Sequence, residues 1–582
     1  MANLTLNKLT GPGDAPLSHL LPPFRNKREL VINKHFLIGR NKNIILKNLE
    51  FGFRADWAPV MPTPNSSPQN FLRGADAIKK ARARFTGEVK RGRMIGGVGW
   101  TKKRVENFLK RKVHVIPCGA VPKADDPNGR IIHNYSYPQK KTNSVNAALT
   151  NTSVEYITFK ERVALLAQVD WYLKVDLKNG YRQLPVHPVD WHTQVYSLGP
   201  CEFYIDITMP FGKANSSRVF CTWTSAWCRA FKFHFQNHYA FPIALAVYMD
   251  DFFGGPIRTG SLAKDLKRAR RLFEDLIIIG AVTSAFMNLV KCEEPARSKD
   301  ILGMNFNSKK KACFLAKAKI SKYTSKLAKL RKSGVASSKE LQKITGYLVY
   351  AAWVMPFGRP FISHISHFID IKNIRKIVSL DSAALVACDV WLYLLKGNFG
   401  LTFDFILGKL TRHKNEWFVD ASGHGFGGVC GSSFFELSHT RFVGVIEPSM
   451  RSIFGNMFIA YRELLAVLFA FQVFSGIAPN CFIRLNSDNE NVVSWLNKGR
   501  CSKKLGFLIL SAIEAFKFKF GLKVKAFYIK SSQNTSADGL SRGRTPRWLV
   551  SRGVEQKINI RQIMKLINNP LPFWKPITKT PF

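Results

Sequence analysis

Two acidic residues, Asp250 and Asp251, stand side by side in "AVYMDDFFGG" (residues 246–255), directly after an apolar run at 243–248 that reads as a buried strand. A third, Asp176, closes the apolar run of "WYLKVD". Acids at the ends of buried strands are costly: two carboxylates about 5 Å apart repel by about 3 kcal/mol at an effective dielectric near 20. A divalent cation reverses that sign. In polymerases, carboxylates so placed hold two Mg²⁺ that activate the attacking 3′-hydroxyl and stabilise the leaving pyrophosphate. The same dipeptide is also ordinary turn chemistry, because short acids tolerate tight backbone angles and Gly254 with Gly255 suits a hairpin tip. Spacing alone leaves both readings open. A second set comprises Asp420 in "WFVDASG", Glu463 in "YRELLAV", Asp488 in "LNSDNE" and Asp538 in "TSADGLSRG". Acids on a first strand, a helix, a later strand and a closing loop could converge on two metals for phosphodiester hydrolysis. Asp488 also suits a turn, and Asp538 a helix cap.

The elements that must position these acids belong to a chain of 582 residues, 46% hydrophobic, long enough for three or four domains with real cores. Its formal net charge of +48, from 87 Lys and Arg against 39 Asp and Glu, predicts a polyanionic partner. Nucleic acid comes first and a membrane surface second. The best candidate for a membrane span, residues 383–395, is interrupted by Asp389, so no membrane partner is expected. The first 21 residues have neither the basic start nor the apolar centre of a signal peptide, and an intracellular protein of cytoplasm or nucleus is expected. Ten cysteines without a Cys-x-x-Cys pair argue against a zinc knuckle and a disulfide framework. His234 with His238, and His364 with His367, lack the Glu of a zinc-protease helix.

Residues 1–75 are rich in Pro, Asn and loop signals, ending near "MPTPNSSPQN" (61–70), and predict an N-terminal arm. Basic runs "IKKARARF" (78–85) and "TKKRVENFLKRK" (101–112) flank "GGVGW", which no Gly-Lys-Ser/Thr follows. From residue 113, short β runs alternate with helical blocks, and "DDPNGR" (125–130) predicts a hairpin turn. Residues 310–400 are helical in pattern, with Ser337 and Glu340 spaced as a capping box. After a polar junction at 408–416 the texture changes to a separate α/β domain.

Several longer stretches carry a family resemblance. "VDLKNGYRQLPVHPVDW" (175–191), "MPFGKANSSRVF" (209–220), "YMDDFFGG", and "NLVKCEE" followed by "ILGMNF" (288–306) resemble successive motifs of retroelement reverse transcriptases, in the family's order. Residues 121–146 are similar to the fingers of that family, and 340–361 to the helical stretch after its palm. The resemblance spans about residues 110 to 370 and rests on several independent motifs. It implies that Asp176, Asp250 and Asp251 bind metal, that Tyr181 is a steric gate disfavouring a 2′-hydroxyl, and that Lys123 and Arg130 grip the triphosphate. It further implies that Phe211 and Gly212 line the nucleotide pocket and template contact, and that Lys291 protonates pyrophosphate. The second set, Asp420, Glu463, Asp488 and Asp538, resembles the ribonuclease H domain of retroelements, with one departure. Family members often carry a His shortly before the last acid, and "YIKSSQNTSAD" has none. "DLKNGYRQLPVHPVDW", "VDASGHGFGGV" and "SADGLSRG" look most like the DIRS group or related long-terminal-repeat retrotransposons.

The expected fold is therefore α/β (α+β), a right-hand polymerase followed by a ribonuclease H-like domain. Fingers and palm fall at 76–308, a helical thumb and connection at 309–410, the ribonuclease H-like domain at 411–545 and a tail at 546–582. The expected activity is RNA-directed DNA synthesis from dNTPs, with hydrolysis of the RNA of RNA–DNA hybrids. Mg²⁺ is the expected cofactor, two per active site, with Mn²⁺ as a substitute; the partners are an RNA template, a DNA primer and their hybrid. The competing readings are a decayed or domesticated nucleic-acid-binding protein and a DNA-templated polymerase.

Overall fold

The computed structural model describes residues 27–544, other than 40, 58–61, 63, 66–67, 73, 124–125, 139–143, 151–152, 432–438, 448–455 and 502, together with 553–557. The first 26 residues of the expected arm, and all of the expected tail except 553–557, lie outside them. The fold mixes helix and sheet, and the chain forms two compact units, Met1–Arg297 and Ser298–Phe582.

In the first unit, β1 (Met94–Val98), β2 (Cys118–Lys123), β3 (Asp126–His133), β4 (Tyr172–Asp176), β5 (Val195–Gly199), β6 (Glu202–Asp206), β7 (Ile243–Tyr248), β8 (Asp251–Pro256) and β9 (Glu293–Ala296) form two sheets and a ribbon. The orders are β7-β8-β4-β9 and β1-β6-β5, with β2 paired to β3. The apolar run at 243–248 becomes β7, which turns back as β8 with Tyr248 opposite Asp251. Gly254 permits that closeness: its φ is +153°, and a Cβ there would collide with the Ala244 carbonyl. Helix Ser216–Tyr239 places Phe220, Trp223, Trp227, Phe231 and Phe235 at helical spacing, all buried in one core with Leu173, Val175, Ile243, Leu245 and Phe252 of the sheet. Helix Leu262–Val282 adds Leu272 and Leu276 to the same core.

Two stretches depart from the sequence expectation. Residues 27–51, read as part of a loop-rich arm, form helices Lys27–Phe36 and Lys42–Phe51, and Phe36, Ile45 and Leu49 enter this core. The apolar pair Ile45 and Leu49, four residues apart, gives the second helix its buried stripe despite the surrounding Asn and Lys. The turn expected at 125–130 is largely strand: β3 starts at Asp126, and Lys123 pairs with Asp126 while Val121 pairs with Arg130. A register shift between Val121 and Lys123 absorbs the extra residues, the kind of irregularity in which Pro and Gly are tolerated within a ladder.

The second unit begins with the antiparallel ladder β10 (Ser298–Ile301), β11 (Met304–Asn307) and β12 (Ala312–Leu315), to which β15 (Leu401–Thr402) adds; β13 (Val335–Ser337) pairs with β14 (Ile377–Ser379). Helices Lys317–Ser333, Ser338–Ala351, Arg359–Ser366 and Ser382–Gly397 fill the span between. The Ser337–Glu340 capping box forms as its spacing predicts. A six-stranded sheet follows, from β16 (Glu416–Ala421), β17 (Gly425–Gly431), β18 (His439–Val445), β19 (Phe482–Ser487), β20 (Lys523–Tyr528) and β21 (Gly553–Lys557), in the order β20-β19-β16-β17-β18-β21. Helix Ile459–Phe474 packs on this sheet with Leu464, Leu465, Val467, Leu468 and Phe471 buried. Together with the turn after it, Ile459–Ile477 is long and apolar enough to cross a membrane, a stretch the sequence reading passed over in favour of 383–395. Its apolarity has a packing cause, since it packs against both the sheet and helix Lys504–Phe520.

Candidate functional site

β4, β7 and β8 bring the first set of acids to one edge of their sheet. Asp176 pairs with Asp251 across β4 and β8, and Asp250 occupies the turn between β7 and β8. Met249 in that turn has φ +58°, a left-handed conformation that a side chain adopts only under constraint. The amide of Leu177 donates to the Asp250 carbonyl (2.9 Å), locking the turn to the end of β4. Asp176 and Asp250 both line a cavity of about 570 Å³ with Asn179, Gly180, Phe211, Gly212, Asn288 and Lys291. Asp251 is not among its walls: its Oδ1 lies 3.6 Å from Lys174 Nζ. Burial raises the carboxyls of Asp250 and Asp251 above their ordinary value; Asp176 adds to the rise at Asp250, and Lys174 opposes it at Asp251.

The other residues named from the resemblance fall as follows. Lys291 Nζ lies 3.4 Å from Asp176 Oδ2, joined there by Asn288 Nδ2 at 3.4 Å. Tyr181 is buried, stacked on Phe211 at 4.9 Å and edge-on to Phe220 at 4.9 Å, and burial pushes its phenol well up. Phe211 is 55% exposed. Gly212 has φ +95°, and a Cβ there would lie 2.8 Å from the His133 carbonyl, so the loop passes β3 too closely for a side chain. Lys123 and Arg130 lie on β2 and β3, and their side chains fall outside the described residues. Sequence reasoning missed Asn146, whose Nδ2 donates to the Gly212 carbonyl (3.0 Å) and whose Oδ1 accepts from the Ala214 amide (2.8 Å). An Asn among Ser and Thr carries no local sign of a partner 66 residues away.

In the second unit, Asp420 lies on β16, Glu463 on helix Ile459–Phe474, and Asp488 just after β19, which runs parallel to β16. One carboxylate oxygen from each lies within 4.8 Å of the other two. Asp538 is not in that group; on helix Thr535–Ser541, it accepts from Arg542 Nε at 2.8 Å. Burial, with Asp420 and then Asp488 adding to it, pushes Glu463 up to about 9; burial pushes Asp420 up to about 6. Two serines outside the expected set hold the acids: Ser541 Oγ donates to Asp420 Oδ2 and Ser531 Oγ to Asp488 Oδ2, each at 2.6 Å. Glu463 Oε2 is buried and, among the described residues, has no hydrogen-bond partner. An orphan carboxylate oxygen beside two further acids fits a divalent cation, which supplies the missing partner and cancels the repulsion. The donor set around Asp176 and Asp250 fits one too, as two oxygen-bearing acids facing a single cavity. Among the described residues no histidine joins a comparable cluster: His234 Nε2 meets the Phe36 carbonyl at 2.8 Å, and His364 packs on Phe507.

No protein-family model matches the chain. An RNA-directed DNA polymerase homolog of Oenothera berteroana is 32% identical over 107 residues, which is 18% of this chain and 67% of the relative. The chain belongs to the RNA-directed DNA polymerase family. Its fold is also similar to solved structures of a foamy viral protease–reverse transcriptase at 14% identity. One, labelled dRH and in complex with double-stranded DNA, has a TM-score of 0.44 and covers 86% of this chain and 81% of that one. A second, with an RNA/DNA hybrid, has 0.42 over 86% and 62%, and a third, with double-stranded DNA, 0.40 over 86% and 97%.

Proposed function

We propose that this reverse transcriptase homologue extends a DNA primer on an RNA template from dNTPs by two-metal nucleotidyl transfer, and that its second unit hydrolyses the RNA of the hybrid. In this assignment 76–308 are fingers and palm, 309–410 thumb and connection, and 411–545 the ribonuclease H-like domain, in a retrotransposon enzyme of DIRS-like or related type. The observation that carries it is the cavity in which Asp176 and Asp250 share walls with Gly180, Phe211 and Gly212. A volume of about 570 Å³ suits a nucleotide, and the acids stand at its edge rather than in a solvated loop.

Divalent magnesium held by Asp176 and Asp250 would supply a nucleophilic 3′-hydroxyl and neutralise the charge that builds on the leaving pyrophosphate. Asp251, paired with Lys174, holds the β7–β8 turn in register and keeps its own charge compensated. Lys291, 3.4 Å from Asp176, carries the proton that the departing pyrophosphate takes. Tyr181, stacked on the cavity-lining Phe211 and edge-on to Phe220, is the gate toward which the sugar would stack, disfavouring a 2′-hydroxyl. In the second unit, Asp420, Glu463 and Asp488 would hold magnesium, with Ser541 and Ser531 fixing which carboxylate oxygens face inward. The excess of positive charge, +48 overall, serves a long backbone-tracking surface whose affinity falls as salt rises. Primer extension tests the first assignment. For the second, cleavage of a labelled RNA–DNA hybrid is compared between wild type and Asp420→Asn; cleavage that survives in the variant would exclude the proposed site.

A further inference from the structure

Arg182 follows Tyr181 in the chain and, with Glu88 and Asp206, lines the same cavity as Asp176 and Asp250, in charges to which the chemistry just described assigns no role. Its side chain is 11% exposed; Nη1 donates to Asp206 Oδ1 at 2.8 Å, and Nη2 to Glu88 Oε2 at 3.1 Å. Asp206 ends β6 and also accepts from the Thr208 amide (3.1 Å), Thr208 Oγ1 (3.2 Å) and the Tyr196 hydroxyl (3.3 Å). Glu88 belongs to helix Gly74–Lys90 and has Arg93 Nη1 at 3.7 Å. The guanidinium thus ties the turn after β4 to a second sheet and to a helix, all in the first unit. On the other flank of that turn, Gln183 Nε2 donates to the carbonyls of Lys178 (2.7 Å) and Phe286 (2.9 Å), and its Oε1 accepts from the Phe286 amide (3.0 Å).

The turn itself needs holding. Asn179 and Gly180 have φ of +64° and +48°, consecutive left-handed residues, of which only glycine adopts that region without cost. Stability alone is a weak reason for the ions, because a buried ion network replaced by apolar groups of similar volume often leaves a fold as stable or more so. What a forked guanidinium supplies is orientation, through bonds fixed in one plane.

We propose that Arg182 is the positioning residue of the nucleotide gate: with Glu88 and Asp206 it holds the turn so that Tyr181 stands against the incoming sugar. The proposal rests on the polymerase assignment above. Three full-length variants test it, in single-nucleotide incorporation of dCTP against CTP on an RNA template with a DNA primer. They are Arg182→Lys, Tyr181→Val, and the combination of Arg182→Met, Glu88→Gln and Asp206→Asn, free of charge at all three positions, in which Arg91 and Arg93 meet an amide in place of the Glu88 carboxylate. The charge-free variant is expected to melt near the wild-type temperature and to lose about tenfold in discrimination against CTP, with a much smaller fall in dCTP turnover. Arg182→Lys, which keeps the charge without the fork, should fall between it and wild type. Unchanged discrimination in the charge-free variant, or loss of its fold, would overturn the proposal by assigning the network no role at the gate or a purely structural one. The controls separate the two levels: no extension by the wild type would overturn the polymerase assignment and this proposal with it. Unaltered discrimination in Tyr181→Val would overturn the gate alone.

Discussion

Glu463→Gln should stabilise the metal-free protein while abolishing hybrid cleavage. Glu463 is 5% exposed, its Oε2 has no hydrogen-bond partner among the described residues, and its carboxyl is pushed from an ordinary 4.5 up to about 9 by burial and then by Asp420 and Asp488. Between those values the folded chain keeps a proton that the unfolded chain has lost. Stability therefore falls as pH rises from 4.5 and levels off only above about 9. At about pH 8 the penalty is at most about 5 kcal/mol, at about 1.4 kcal/mol per tenfold change in proton affinity. Asp420 shares it, since the two acids titrate together, and an amide left without a partner costs about 1 kcal/mol, so a net gain of about 2 kcal/mol is expected. For a domain of this size that is a rise in melting temperature of about 4 to 8 °C. Thermal unfolding of the full chain by circular dichroism at about pH 8, in EDTA and then in Mg²⁺, reads both halves of the prediction. Wild type should gain stability from Mg²⁺, and the variant should start higher and gain little. A variant that melts lower in EDTA, or that keeps the full Mg²⁺ gain, would refute the electrostatic account of this cluster.

Gly212→Ala should raise the KM for dNTPs at least about tenfold, because its Cβ would press on the His133 carbonyl from a left-handed backbone costing about 1 to 3 kcal/mol; steady-state kinetics reads it. Tyr181→Val should raise the ratio of ribonucleotide to deoxyribonucleotide incorporation about tenfold or more, as the stacked ring between Phe211 and Phe220 is lost. Ser541→Ala should shift hybrid cleavage toward alkaline pH. The hydroxyl bond at 2.6 Å is the largest effect opposing the upward push on Asp420, so without it the carboxylate forms only at higher pH, which a pH–rate profile measures.

Much of what places the acids is local and therefore readable. The apolar run at 243–248 and the glycines after Asp251 mark a strand, a turn and a strand, and the hairpin β7–β8 follows. Asp420, Glu463 and Asp488 end up on a strand, a helix and a strand end, as the hydrophobic periodicity around each predicts, and their carboxylates meet. Contacts between distant residues left no such mark. Arg182 finds Glu88 94 residues away, and Ser541 finds Asp420 across 121 residues, through single polar side chains that disturb no periodicity. Asp538 read as equivalent to the other three acids; it accepts from Arg542, which caps its helix, while its charge still adds to the rise of the Asp420 carboxyl. Helix Ile459–Phe474 carries its long apolar run because it packs on both the sheet and helix Lys504–Phe520, neighbours that are distant in the sequence.

Primer extension on an oligo(dT)-primed poly(rA) template, with dTTP and Mg²⁺, tests the central claim most directly. The wild-type chain should synthesise DNA, and Asp250→Asn should bind the template-primer with similar affinity and synthesise none. Synthesis by Asp250→Asn at the wild-type rate would contradict the account.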